Sequence, residues 1–102
     1  MSLAADNDFR TVLVLMKGTD ADATIDAILG SGQDVDVKDE GPYWKLRGRG
    51  DIRVELDEVS TELGAPLSMA KWLVSMTSFV GNVETTASSF IVHTQDGAGI
   101  SR

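Results

Sequence analysis

The run Thr11-Val12-Leu13-Val14-Leu15-Met16 is apolar at every position from Val12 onward, the pattern of a strand covered on both faces and central in its sheet. Gly18 breaks it, and Thr19 or Asp20 then caps a helix in which Ala21, Ile25, Ile28 and Leu29 share one face. Gly30, in Leu29-Gly30-Ser31-Gly32, is its stop signal. Asp34-Val35-Asp36-Val37-Lys38-Asp39 alternates polar and apolar positions, as a half-buried strand does, and its charged outward side suits a sheet edge. After the turn Glu40-Gly41-Pro42, Tyr43-Trp44-Lys45-Leu46-Arg47 alternates again with Trp44 and Leu46 inward. Gly48-Arg49-Gly50-Asp51 then leads to Ile52-Arg53-Val54-Glu55, so three strands in meander order follow the helix.

Asp57 is the natural N-cap of a helix over residues 58–63, with Leu56, Val59 and Leu63 toward the core and Gly64 ending it. Ala65-Pro66-Leu67 leads to Ser68, the cap of a second short helix that buries Met69, Trp72 and Leu73. The last two strands are placed at residues 76–83 and 89–94, joined by the polar loop Glu84-Thr85-Thr86-Ala87-Ser88. The order βαββ followed by βααββ implies an α+β fold, mainly antiparallel sheet with three short helices. Residues 1–102 are expected to form a single domain, with 1–9 and 95–102 as mobile tails.

At 102 residues, 42% hydrophobic and 25% charged, the composition is that of an ordinary globular domain rather than a disordered acidic chain. With no Cys there is no disulfide framework and no thiolate chemistry. No apolar run approaches the roughly 20 residues of a membrane span, and the first residues lack the pattern of a signal peptide; a cytoplasmic location is expected. The net charge of −7 is uneven, with acidic residues concentrated before residue 41. Such a surface repels phosphate backbones, which excludes nucleic acid as a natural partner. Lys45, Arg47, Arg49 and Arg53 form a local basic band, either the solvated face of a hairpin or a docking strip for an acidic partner.

Catalytic chemistry finds little foothold. His93 is the single histidine; a transition-metal site built from side chains ordinarily needs two or more His or Cys, so a hydrogen-bonded or solvent-facing role is expected. Asp34, Asp36, Asp39 and Glu40 begin like a calcium loop, yet Asp39 and Lys45 stand where such a loop needs Gly and a bidentate Glu. Gly48-Arg49-Gly50 lacks the Lys-Ser/Thr pair and helix start of a phosphate loop. There is no Gly-x-Ser-x-Gly elbow. No catalytic, metal or cofactor-binding residue is assigned, and no cofactor is expected. Trp44 and Trp72 suit the core, and Phe79 is divided between core and surface.

Ile52-Arg53-Val54-Glu55-Leu56-Asp57-Glu58, then Leu63-Gly64-Ala65-Pro66, then Thr77-Ser78-Phe79-Val80-Gly81 stand in the order of a known pattern: a strand ending in an acidic helix start, a Leu-Gly-x-Pro turn, a short helix, and a Ser/Thr-rich strand before a Gly. In this the chain resembles the small regulatory proteins, also called coupling or effector proteins, of the soluble multicomponent di-iron monooxygenases that oxidise methane, alkenes, phenols and toluenes. One departure is Ala65, where the family often has Arg. The resemblance implies a non-catalytic protein that binds the di-iron hydroxylase, with a ferredoxin or reductase as competitor, and couples NADH-derived electrons and O2 activation to hydrocarbon oxidation. It places the contact at Thr77, Ser78, Phe79, Val80 and Gly81. The loop of Gly30, Ser31, Gly32 and Gln33 is a second contact candidate, read as flexible. Two readings from other classes stand beside it: a small metabolite-binding sensor domain with that loop closing over a ligand, and a small hydrolase or isomerase using carboxylates.

Overall fold

The structure is a computed structural model that describes residues 9–94; both expected tails, apart from Phe9, lie outside the described residues. Strand β1 (Thr11–Met16) is followed by helix α1 (Thr19–Gly30), strands β2 (Val35–Asp39), β3 (Tyr43–Gly48) and β4 (Ile52–Glu55), helices α2 (Leu56–Leu63) and α3 (Met69–Leu73), and strands β5 (Met76–Val80), β6 (Asn82–Thr85) and β7 (Ser89–His93). The described chain is α+β with antiparallel pairing throughout.

Two sheets are present, ordered β2-β3-β1-β5 and β4-β7-β6. β1 is internal, as its apolar run implies. Only one of its faces is deeply buried, however: Thr11, Leu13 and Leu15 are inside, whereas Val12 and Val14 are half-buried and Met16 is exposed. The meander is also corrected. β2 and β3 form a hairpin, but β4 leaves that sheet and pairs with β7. The expected single strand over residues 76–83 is two strands, because Gly81 turns the chain from the first sheet into the second with φ 135°. A Cβ on Gly81 would lie 2.5 Å from the His93 carbonyl oxygen and 2.7 Å from Val92 Cγ1, so both the backbone angle and the space require glycine.

Thr11 sits where both crossings between the sheets occur. Its hydroxyl donates to the Gly50 carbonyl at 2.6 Å, and a Cβ on Gly48 would lie 2.6 Å from that hydroxyl oxygen. The turn into β4 is thus fastened to the start of β1.

α1 buries Ala21, Thr24, Ile25 and Ile28 and packs on α2 and β4. Leu29 faces out, one residue off the stripe that includes Thr24. Neither Thr19 nor Asp20 caps α1; Gly18 holds that position without a side-chain bond. α2 likewise starts one residue before Asp57, from an extended Glu55 that makes no cap bond, and it ends at Gly64 in the left-handed conformation, where Cβ-bearing residues are strained. Ser68 does cap α3, accepting from the Lys71 amide. Trp72 on α3 is fully buried, Met69 partly, and Leu73 is exposed.

Candidate docking site

β5 is the edge of the first sheet beside β1. Thr77, Ser78, Phe79 and Val80 are all exposed, in a stretch that carries no charge. The register pairs Val12 with Val80, Leu13 with Phe79 and Val14 with Ser78, then shifts between Val14 and Leu15 so that Leu15 meets Met76. Thr77 is the extra residue at that bulge. Because faces alternate along a strand, Ser78 and Val80 join Val12 and Val14 on the outer side of the sheet, while Phe79 turns inward beside Leu13.

Phe79 is both a core and a surface residue. It is 41% exposed, yet its ring meets Phe90 edge-on at 6.3 Å. Phe90 in turn lies 4.9 Å from the Trp72 ring, and the Trp72 indole donates to the Thr24 hydroxyl at 2.9 Å. That hydroxyl donates to the Asp20 carbonyl one turn earlier in α1 at 2.7 Å. A column of three aromatic rings therefore runs from the buried Trp72 of α3 to the exposed strand, one pair tilted and one edge-on, and such pairs stabilise beyond the burial itself. Sequence reasoning missed Thr24 and Phe90. Thr24 left one signal, a hydroxyl in line with the apolar stripe of α1.

The second candidate segment is not a free loop. Ser31 donates to the Ile28 carbonyl. Gln33 donates to the Arg53 carbonyl at 2.9 Å and accepts from the Arg53 amide at 2.8 Å, so its side chain pairs with β4 as a strand would. Gly30, Ser31 and Gly32 remain exposed, with Gly32 at φ 80°. This segment lies at the C-terminal end of α1 and is fastened to β4.

Three of the four residues of the basic band are paired with nearby carboxylates. Arg47 pairs with Asp36, Arg49 with Asp34 and Arg53 with Glu55. Phe9 packs under the guanidinium groups of Arg47 and Arg49, within 4.2 and 4.6 Å of their central carbons. The Ser89 hydroxyl and then Arg53 hold the Glu55 carboxyl below its ordinary range. Lys17 bonds Asp39 and lies over the Trp44 ring, and that bond lowers the Asp39 carboxyl's pKa.

His93 is hydrogen-bonded and partly solvent-facing, as expected. Its Nδ1 lies 2.9 Å from Asp51 and its Nε2 2.8 Å from Glu84. The Glu84 contact, then the Asp51 contact, raise its pKa above the ordinary imidazole value. The two carboxylates lie on opposite sides of the ring and cannot converge on one cation. Among the described residues no cluster of His, Asp and Glu has the geometry of a metal site, and no helix is long and apolar enough to cross a membrane.

Residues 10–93 match the model of the MmoB/DmpM family. The chain is 32% identical over 96 residues to methane monooxygenase regulatory protein B of Methylosinus trichosporium, spanning 89% of this chain and 69% of that protein. It is 31% identical over 97 residues to the protein of the same name from Methylococcus capsulatus, spanning 89% and 68%. Among solved structures, the soluble methane monooxygenase regulatory protein B superposes with a TM-score of 0.65 at 28% identity, over 91% of this chain and 70% of that one. A chain in a phenol hydroxylase–regulatory protein complex superposes at 0.73 with 16% identity, over 81% and 95%, a likeness of fold. With a family model spanning most of its length and curated relatives above 30% identity, this chain belongs to the MmoB/DmpM family.

Proposed function

We propose that this chain is the non-catalytic regulatory component of a multicomponent di-iron monooxygenase, working in the cytoplasm. It docks on the hydroxylase through Thr77, Ser78, Phe79, Val80 and Gly81, with Gly30, Ser31, Gly32 and Gln33 as a second contact. Bound there, it couples NADH-derived electrons and O2 activation to hydrocarbon oxidation. The observation that carries the reading is β5, an uncharged sheet edge with four consecutive exposed side chains backed by an aromatic column. Family membership supports it, since its relatives are named as monooxygenase regulatory proteins and a similar fold is found in a complex with phenol hydroxylase. The sensor reading needs a loop free to close, and Gln33 is held to Arg53 by two hydrogen bonds.

To regulate, the protein must bind one conformation of the hydroxylase better than another, because equal affinity for both shifts nothing. A fixed, preorganised edge suits such discrimination, since little ordering cost is set against its contacts. The test is product formed per NADH consumed by the cognate hydroxylase and electron-transfer proteins, with and without this chain. Turnover and coupling ratio should both rise and saturate near one copy per active site. No change with demonstrably active partners would sink the reading.

A further inference from the structure

Residues 72–83 contain no charged side chain, in a chain of which 25% is charged. Exposed apolar surface without charge is a usual mark of an interaction site. Leu73, Val74, Phe79 and Val80 are exposed large hydrophobics within this stretch, and Met16 lies against it, its amide donating to the Ser75 carbonyl at 2.8 Å. The exposed band therefore continues past the start of β5, onto the elbow that joins α3 to β5.

At that elbow Met16, Val74 and Ser75 face the start of α1 (Gly18, Thr19, Asp20 and Ala21) across an open notch of about 320 Å³. Val74 is the most exposed of the large hydrophobics, at 80%. Lys17 and Lys71 also line the notch. Lys17 is engaged by Asp39 and Trp44, whereas the Lys71 ammonium has no partner among the described residues. Asp20 lies in the first turn of α1, where the helix's positive end balances it. An unpaired cation beside an apolar notch, in a chain of net charge −7, selects for an occupant that is apolar with a carboxylate beside it.

We propose that this notch is the socket of the docking surface: it receives one large apolar side chain of the hydroxylase, whose neighbouring Asp or Glu pairs with Lys71. The proposal rests on the regulatory reading above and extends its contact surface to Met16, Lys71 and Val74. Two properties favour the hydroxylase as occupant. The notch is continuous with β5 through Ser75, and its mainly apolar lining is flanked by the ammonium of Lys71.

Titration of the full chain against the purified hydroxylase, followed by the fluorescence of a dye on the hydroxylase, separates the possibilities. Val74→Asp should weaken binding about tenfold or more, as loss of an interface anchor does. Lys71→Glu should weaken it severalfold and flatten its salt dependence. Lys38→Glu, on the opposite edge of the sheet, controls for net charge and should bind as wild type does. All three side chains are exposed, so the midpoint of thermal unfolding should hold. If wild type binds and Val74→Asp and Lys71→Glu bind equally well, the socket is overturned while the regulatory reading stands. If wild type itself does not bind an active hydroxylase, both fall together.

Discussion

The two edges of the four-stranded sheet are built differently. On β2, Asp36 and Asp39 are paired with Arg47 and Lys17, Lys38 stands between them, and Asp34 just ahead of the strand pairs with Arg49. Charges along an edge discourage another chain from adding to it. On β5, from Met76 to Val80, there is no charge, and the only irregularity is the bulge at Thr77. An unguarded edge is a hazard unless a partner meets it. The comparison teaches that β2 is closed by charge whereas β5 is left open for docking, and that β5 is kept in place from behind, by Phe90 and Trp72, rather than by its own polar groups.

If β5 is held from behind, the column should matter more to folding than the edge does. Phe90→Ala should cost about 3–5 kcal/mol in denaturant unfolding, as truncation of a buried Phe does. Phe79→Ala, a residue 41% exposed, should cost less in stability, about 1–2 kcal/mol, and should weaken hydroxylase binding as well. Equal destabilisation by the two would mean that Phe79 is simply core. Gly81→Ala comes next: at φ 135° with the His93 carbonyl in the way, the strain should amount to about 2 kcal/mol or more. A stability within about 0.5 kcal/mol of wild type would show that the corner can relax.

Much of this arrangement is legible in the sequence, and the parts that are not share a cause. Alternation located β2 and β3 and the apolar run located β1, because each is a local pattern imposed by the faces it packs against. The corner at Gly81 was not legible. Met76-Thr77-Ser78-Phe79-Val80-Gly81-Asn82-Val83 carries no breaker beyond one glycine, and its two halves pair with different strands, β5 with β1 and β6 with β7. The departure of β4 to the second sheet is equally nonlocal. So is the pairing of Trp72 with Thr24, 48 residues apart. The acidic and basic stripes were each visible, but that they cancel follows only from the register setting Asp36 opposite Arg47. At the site, Thr77 and Ser78 are exposed, whereas the loop ending in Gln33 proved tied down, because nothing local announces a side chain pairing with the backbone of β4.

The open edge can be closed deliberately. Ser78→Lys places a charge on β5 of the kind that guards β2. It should leave stability within about 0.5 kcal/mol, as exposed substitutions usually do, while lowering hydroxylase affinity about tenfold. Asp36→Asn, which opens a pair on the guarded edge, should cost at most about 1 kcal/mol of stability and leave the coupling ratio unchanged. If Ser78→Lys supports full coupling, the contrast between the edges has no bearing on docking.

The smallest effect is expected at the end of β7, where His93 spans Asp51 and Glu84 and stands opposite Asn82 next to the Gly81 corner. With a carboxylate at each ring nitrogen, only the imidazolium donates to both. Its folded pKa is therefore raised, and the stabilising contribution is fully present below the unfolded imidazole value of about 6.5. It is lost as pH rises through the folded value. The flanking charges facing the ring are those of Asp51 and Glu84, and Thr94 shares Asp51 through its amide at 3.1 Å. His93→Gln should thus be measurably less stable than wild type at about pH 5.5, and the two should converge by about pH 8.5. Denaturant midpoints across that range provide the measurement. A gap that stays constant, or widens toward high pH, would show that the bridge is held by geometry and not by the proton, and that the Gly81 corner owes its position to β7 alone.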